Sequence, residues 1–152
     1  MFNLEDKVAL VTGARRGMGK SHALALATQG AKVVVTDIGK NECQLVVDEI
    51  KSKGGEAVGF EMDVSNKEDI DKVISEIVKQ FGRLDILVNN AGIYVPKMAL
   101  EITQEDWDKM LAINLRGEFL CAQRAAQEMA KNKWGRIINI ASVASGQVGV
   151  GI

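Results

Sequence analysis

Gly13, Gly17 and Gly19 stand four and two residues apart, directly after the apolar run 8–11. This spacing suits a strand that turns tightly into a helix around a diphosphate. The first glycine permits the turn, the second lets backbone approach the phosphates, and the third lets the helix pack close to the sheet. The helix N-terminus adds N–H donors and the positive end of its dipole. Arg15, Arg16 and Met18 complete the loop, and Asp37, followed by Ile38, closes the next apolar run. A carboxylate at that distance can accept hydrogen bonds from ribose hydroxyls. Three glycines alone would mark only a turn. With a readable strand before them, a helix after them and an acid at the right distance, they predict a dinucleotide site.

Three further segments carry polar groups at the ends of apolar runs. Asn89-Asn90-Ala91-Gly92 offers amides that can brace neighbouring strands and a glycine that admits close approach. Asp63-Val64 reads equally as a ligand contact or as the capping loop before Ser65. Ser142 follows Ile140-Ala141, at the carboxyl end of a strand, where open α/β sheets bind their ligands. Ser145 is a weaker candidate because it stands further from the strand end. No Gly-x-Ser-x-Gly elbow or neighbouring His and acid motif makes either serine a hydrolase nucleophile. Asn114 lies in a helical stretch between Ile113 and Leu115, both expected to be buried. An amide there is a poor helix former, so it serves either a site or a buried bond to a helix carbonyl.

These residues need a scaffold, and the periodicities supply one. Strand-like runs cover 8–11, 32–36, 56–62, 84–89 and 136–140. Four are short continuous apolar runs, as expected for parallel strands covered on both faces. The 56–62 run alternates, with Val58, Phe60 and Met62 on one side, as a half-exposed edge strand would. Helical patterns fill the gaps. Ile70, Val73, Ile74, Ile77, Val78 and Phe81 follow the amphipathic rule, with Ser65 and Glu68 as an expected capping box. Gly54-Gly55 and Gly82 mark helix ends. A longer helix is expected over 104–131, capped by Thr103. Such alternation implies right-handed crossovers and an α/β, doubly wound parallel sheet.

Taken in order, the glycine loop, Asp37, Asn-Asn-Ala-Gly and Ile-Ala-Ser resemble the short-chain dehydrogenase/reductase family from about Lys7 onward. They are similar to its 3-oxoacyl-carrier-protein reductases and related alcohol or polyol dehydrogenases. The resemblance implies a Rossmann-type sheet of five strands in the order 3-2-1-4-5. It also implies hydride transfer between NAD or NADP and an alcohol or ketone. By the same resemblance Asp63 and Val64 would contact the adenine ring, and Asn90, Ala91 and Gly92 would lie along the riboses. Asn114 would hold a water in a proton relay, and Ser142 would steady the substrate oxygen. Some NADP-using members carry a basic residue in the glycine loop, as Arg15 and Arg16 are here. Asp37 would repel a 2′-phosphate, however, and arginines can swing out to solvent, so NAD is the expected cofactor and NADP the second.

The family's Tyr-x-x-x-Lys pair would fall beyond Ile152. Tyr94 has no lysine four residues on, and Lys97 is expected at the surface. Residues 1–152 are therefore expected to be an incomplete NAD(P)-binding domain from a longer polypeptide, inactive alone, with 136–140 as an exposed apolar edge. The rival reading is a dinucleotide-binding module or fragment that catalyses nothing. The resemblance further implies a homodimer or homotetramer of the full-length protein, built partly on the 104–131 helix.

Composition narrows the partners. The 152 residues are 47% hydrophobic and 26% charged, a globular balance. With 19 Lys and Arg against 20 acids, there is no electrostatic reason to expect nucleic acid or an anionic membrane. No apolar run approaches membrane-spanning length, and the acidic start lacks the features of a signal peptide. Cys43 and Cys121 have no metal-ligand or redox spacing, and are read as reduced thiols of a cytoplasmic protein. His22, alone of its type, is expected to be an ordinary helix residue, and Trp107 and Trp134 to serve packing.

Overall fold

The computed structural model describes residues 3–142; Ser145 lies outside them. Five parallel strands form one sheet in the order β3-β2-β1-β4-β5. They are β1 (Val8–Thr12), β2 (Lys32–Asp37), β3 (Ala57–Glu61), β4 (Ile86–Asn89) and β5 (Arg136–Asn139). Five α-helices connect them: α1 (Gly17–Thr28), α2 (Lys40–Ser52), α3 (Lys67–Phe81), α4 (Gln104–Leu111) and α5 (Glu118–Lys131). The family's strand order is thus the observed one.

Strand alternation divides the core between the two faces of the sheet. Val8, Leu10, Val34 and Leu87 pack with Ile70, Ile74 and Ile77 of α3 and with Cys121, Ala125 and Met129 of α5. Ala9, Val11, Val33, Val35, Ile86 and Val88 pack with Ala23 of α1 and with Cys43, Val46, Val47 and Ile50 of α2. All of β1 and β4 is buried, which explains why these strands read as unbroken apolar runs. β3 is an edge strand, and its Val58 and Phe60 pack with buried Met62 against the α3 side, as the alternating pattern indicates. β5 is the other edge, and all four of its residues are exposed, so its apolar run is not covered on both faces.

Four local expectations change. The cap of α3 is Asn66, not Ser65: the Asn66 side chain accepts from the N–H groups of Glu68 (2.9 Å) and Asp69 (3.4 Å). The Ser65 hydroxyl is drawn instead to Asp63 Oδ1 at 2.7 Å. The helix expected over 104–131 is continuous in direction but passes through a π-helical segment at Ala112–Gly117. Gly117 explains part of this, because a Cβ there would lie 2.7 Å from the Val64 carbonyl oxygen. Leu115 is exposed and Ile113 only half-buried, so Asn114 is not a core amide. Trp107 is likewise exposed, whereas Trp134 packs on the core and is flanked by Lys7 and Arg136, 4.5 and 5.0 Å from its ring centre.

The other markers fall where the sequence puts them. Gly82 ends α3 with φ 76° and its N–H on the Val78 carbonyl. Thr103 caps α4 through Asp106 N–H, and Asp106 reaches back to the Thr103 N–H at 3.1 Å. Lys97 lies at the surface and pairs with Asp106 at 2.5 Å. No helix among the described residues is long and apolar enough to cross a membrane.

Candidate functional site

The carboxyl ends of β1, β2 and β4 open onto a groove of about 350 Å³. Gly13, Arg15, Arg16, Gly17, Met18 and Gly19 line it from the loop after β1, and Asp37 and Ile38 from the end of β2. Asp63 and Val64 enter after β3, and Asn90, Ala91 and Gly92 after β4. Residues as far apart in the chain as Gly13 and Ile113 are thereby gathered around one cleft, at the point where successive crossovers leave the sheet in opposite directions. Met62, Ile93 and Ile113 also line it; as plain apolar residues they carry no mark in the sequence.

Each loop glycine has a separate reason. Gly13 adopts φ +63°, and a Cβ there would lie 2.8 Å from Ala91 Cα. A Cβ on Gly19 would strike the Gly13 carbonyl oxygen and come within 2.5 Å of Asn90 Nδ2, so this residue lets α1 sit against the sheet. Gly17 adopts φ +57°, and nothing lies within 4 Å of where its Cβ would be. The first and third glycines therefore answer to packing within the chain, and the second faces open space.

Two side chains that neither touch solvent freely nor bear charge hold the loop to β4. The Thr12 hydroxyl accepts from the N–H groups of Asn90 and Ala91, both at 3.0 Å, and donates to the Val88 carbonyl at 3.4 Å. The Asn90 amide returns the link, donating to the carbonyls of Thr12 (2.9 Å) and Gly13 (3.0 Å). Asn89 does the same on the other side of β4, reaching Asn139 Oδ1 and the Glu118 carbonyl, both at 3.1 Å. The bracing expected of the Asn pair is present. Thr12 stands at the head of the glycine loop, and its only sign in the sequence of this fastening role is a hydroxyl ending an apolar strand.

The loop arginine is not free to swing away. Arg15 Nε lies 3.3 Å from Asp37 Oδ1, and its Nη1 lies 3.3 Å from Glu42 Oε1 on the first turn of α2. Asp37 also accepts from the backbone N–H groups of Arg15 (3.3 Å) and Ile38 (2.8 Å). Burial, with the Asp37 and Glu42 carboxylates nearby, pushes the Cys43 thiol up to about 11. Cys121, buried at the α5 face, is pushed up to about 12 by burial. Both thiols are free and buried.

Asp63 turns the chain by accepting from Ser65 N–H at 2.8 Å, so its loop-capping role is real whatever else it does. Asn114 stands outside the lining. Its Oδ1 accepts from Ile93 N–H and its Nδ2 donates to the Ile93 carbonyl, both at 2.8 Å, which ties the π-helical segment to the chain after β4. Ser142 is exposed beyond β5 and is also not among the described lining residues. His22 is half-buried, with Nδ1 enclosed and without a hydrogen-bond partner among the described residues.

With this fold and this groove in view, the chain belongs to the short-chain dehydrogenase family, which it matches over residues 7–152. It is 46% identical to a 3-oxoacyl-acyl-carrier-protein reductase of Synechocystis over 95% of this chain and 59% of that protein. It is 43% identical to the BbsD subunit of a hydroxy(phenyl)methylsuccinyl-CoA dehydrogenase of Thauera aromatica, over 94% and 58%. Among solved structures, a putative short-chain alcohol dehydrogenase of Sinorhizobium meliloti superposes with a TM-score of 0.92 at 39% identity, covering 98% of this chain and 59% of that one. A metagenomic short-chain oxidoreductase in complex with NADP superposes at 0.90 and 35% identity, over 96% and 66%. The chain thus spans somewhat under two thirds of the length of its relatives.

Proposed function

We propose that the groove binds a nicotinamide dinucleotide, NAD in preference to NADP, and that the protein to which this chain belongs transfers hydride between it and an alcohol or carbonyl substrate. The observation that carries the reading is the start of α1. Arg16 makes no side-chain cap there and the first turn holds no acid, unlike α3 and α4, whose N-termini are capped and acidic. With Gly17 open beside it, this is a cradle suited to an anionic diphosphate. Asp37 at the rim can accept ribose hydroxyls and disfavours a 2′-phosphate.

When bound, the dinucleotide supplies or accepts the hydride at its nicotinamide ring. The chain's own residues bind and orient. Asn90 and Thr12 keep the loop closed on β4, and Ala91 and Gly92 admit the riboses. Asn114 keeps one further hydrogen-bonding position on each amide atom beyond its bonds to Ile93, enough to hold a relay water. Ser142 would donate to the substrate oxygen as charge develops there. The relatives named for 3-oxoacyl and hydroxy(phenyl)methylsuccinyl-CoA substrates favour a ketone or secondary alcohol carried on an acyl thioester as the reacting group. A non-catalytic dinucleotide-binding module is the second reading, favoured by the position of Asn114 and Ser142 outside the lining.

Self-association through the α4–α5 face belongs to the same proposal. Trp107, Leu111, Leu115 and Phe119 recur every four residues and are 56, 39, 64 and 59% exposed. In an uninterrupted α-helix each step of four would drift by about 40°. The wider turn of the π-helical segment at Ala112–Gly117 reduces that drift and supports one apolar stripe.

Calorimetric titration of the purified chain with NAD and NADP tests the binding. Saturable NAD binding and weakened discrimination in Asp37→Ala are expected of the chain, and oxidation of NADH by a 3-oxoacyl thioester is expected of the longer protein to which it belongs. Binding without turnover would leave the module reading standing, and no binding of either dinucleotide would refute both.

A further inference from the structure

Glu42 has a place that neither the fold nor the glycine loop requires. It is the third residue of α2, whose N-cap is Gly39. A side chain on Gly39 would meet the Glu42 carboxyl group, with Cδ at 2.8 Å and Oε1 at 3.0 Å, so the glycine makes room for that carboxylate to fold over the helix start. From there Glu42 reaches across to Arg15, 27 positions earlier, and takes its Nη1 edge while Asp37 takes Nε. The Arg15 side chain is 25% exposed and lines the groove, whereas the Glu42 side chain is 50% exposed and stands outside the lining.

We infer that Glu42 is a specificity-determining residue, which holds Arg15 against Asp37 and so withholds that cation from a 2′-phosphate on the bound dinucleotide. The inference rests on the reading of the groove as a dinucleotide site. Arg15 is, with Arg16, one of the two loop groups that could favour NADP, because a guanidinium pairs well with phosphate, and it is the one that the two carboxylates hold. Held between two carboxylates it presents no net positive charge: the three groups sum to one negative charge at the rim. Asp37 alone would leave the Nη1 edge of Arg15 available. Preference for NAD is then a property of Asp37 and Glu42 together, with Gly39 permitting the geometry.

The test compares dissociation constants of NAD and NADP by calorimetry, which needs no turnover. Glu42→Gln removes the charge but keeps a residue able to cap α2. It is expected to lower the ratio of NADP to NAD dissociation constants about tenfold, as a gained charge-assisted contact would. Glu42→Gln combined with Arg15→Ala is expected to abolish that gain, since the freed guanidinium is what makes it. NAD binding by the wild-type chain with an unchanged ratio in Glu42→Gln overturns this inference and leaves the dinucleotide site intact. A gain that persists without Arg15 also overturns it. If the wild-type chain binds neither dinucleotide, the underlying reading of the groove fails and this inference with it.

Discussion

Replacing Thr12 by valine should unfasten the glycine loop without changing the shape of the strand. Thr12 is 1% exposed, and valine fills nearly the same volume. The substitution removes the acceptor for two backbone N–H groups, those of Asn90 and Ala91, each at 3.0 Å, and leaves the Val88 carbonyl without the weaker 3.4 Å donor. A donor stranded away from water costs about 1–3 kcal/mol. The site is partly buried and some relaxation is available, so the two together should cost about 2–4 kcal/mol, a large share of a typical domain's 5–15 kcal/mol. Thr12→Ser keeps the hydroxyl and loses one methyl group, about 1 kcal/mol. Urea unfolding followed by circular dichroism would read both variants against the wild type. A Thr12→Val protein within about 0.5 kcal/mol of wild type would refute the claim that this hydroxyl closes the loop, as would a serine variant equally damaged.

Gly19→Ala should destabilise by about 2 kcal/mol in the same assay, since its Cβ must displace Gly13 backbone and the Asn90 amide, a cost reduced by alanine's better helix propensity. Gly17→Ala meets no such contact and should lose about 1–2 kcal/mol from its left-handed backbone alone. Glu49, bonded to Lys20 and Lys53, and Asp106, bonded to Lys97 and Thr103, titrate near 2 instead of at 4.5 and 3.8. Their folded values are depressed, so the stability they contribute is present above the ordinary carboxylate range and is lost as pH falls from about 4 through 2. Carbon-detected NMR titration should find both midpoints low, and Lys20→Met should raise that of Glu49. Cys43 and Cys121, with thiols raised to about 11 and 12, should resist a disulfide reagent at pH 8 until urea unfolds the chain; prompt labelling of either in the native state would contradict their burial.

Much of this protein is set by local pattern. Strand and helix types, the three glycines and the acid closing β2 are legible because period and backbone conformation depend on residues a few positions apart. The amphipathic face of α3 is visible in its own spacing, and the family resemblance supplies the strand order. Tertiary structure alone decided what joins distant segments. The Thr12–Asn90 fastening spans 78 positions, and the Arg15 guanidinium meets Glu42 only because β1 and β2 lie side by side. The choice of Asn66 over Ser65 as a cap turned on a competing bond to Asp63, and the π-helical segment lies where Gly117 packs on the Val64 carbonyl. Exposure of Leu115 and Trp107 was likewise invisible in sequence, since an apolar residue looks the same whether it faces a core or solvent. Periodicity determines which elements form; which polar groups find one another, and which apolar faces remain uncovered, depends on packing between elements far apart in the chain.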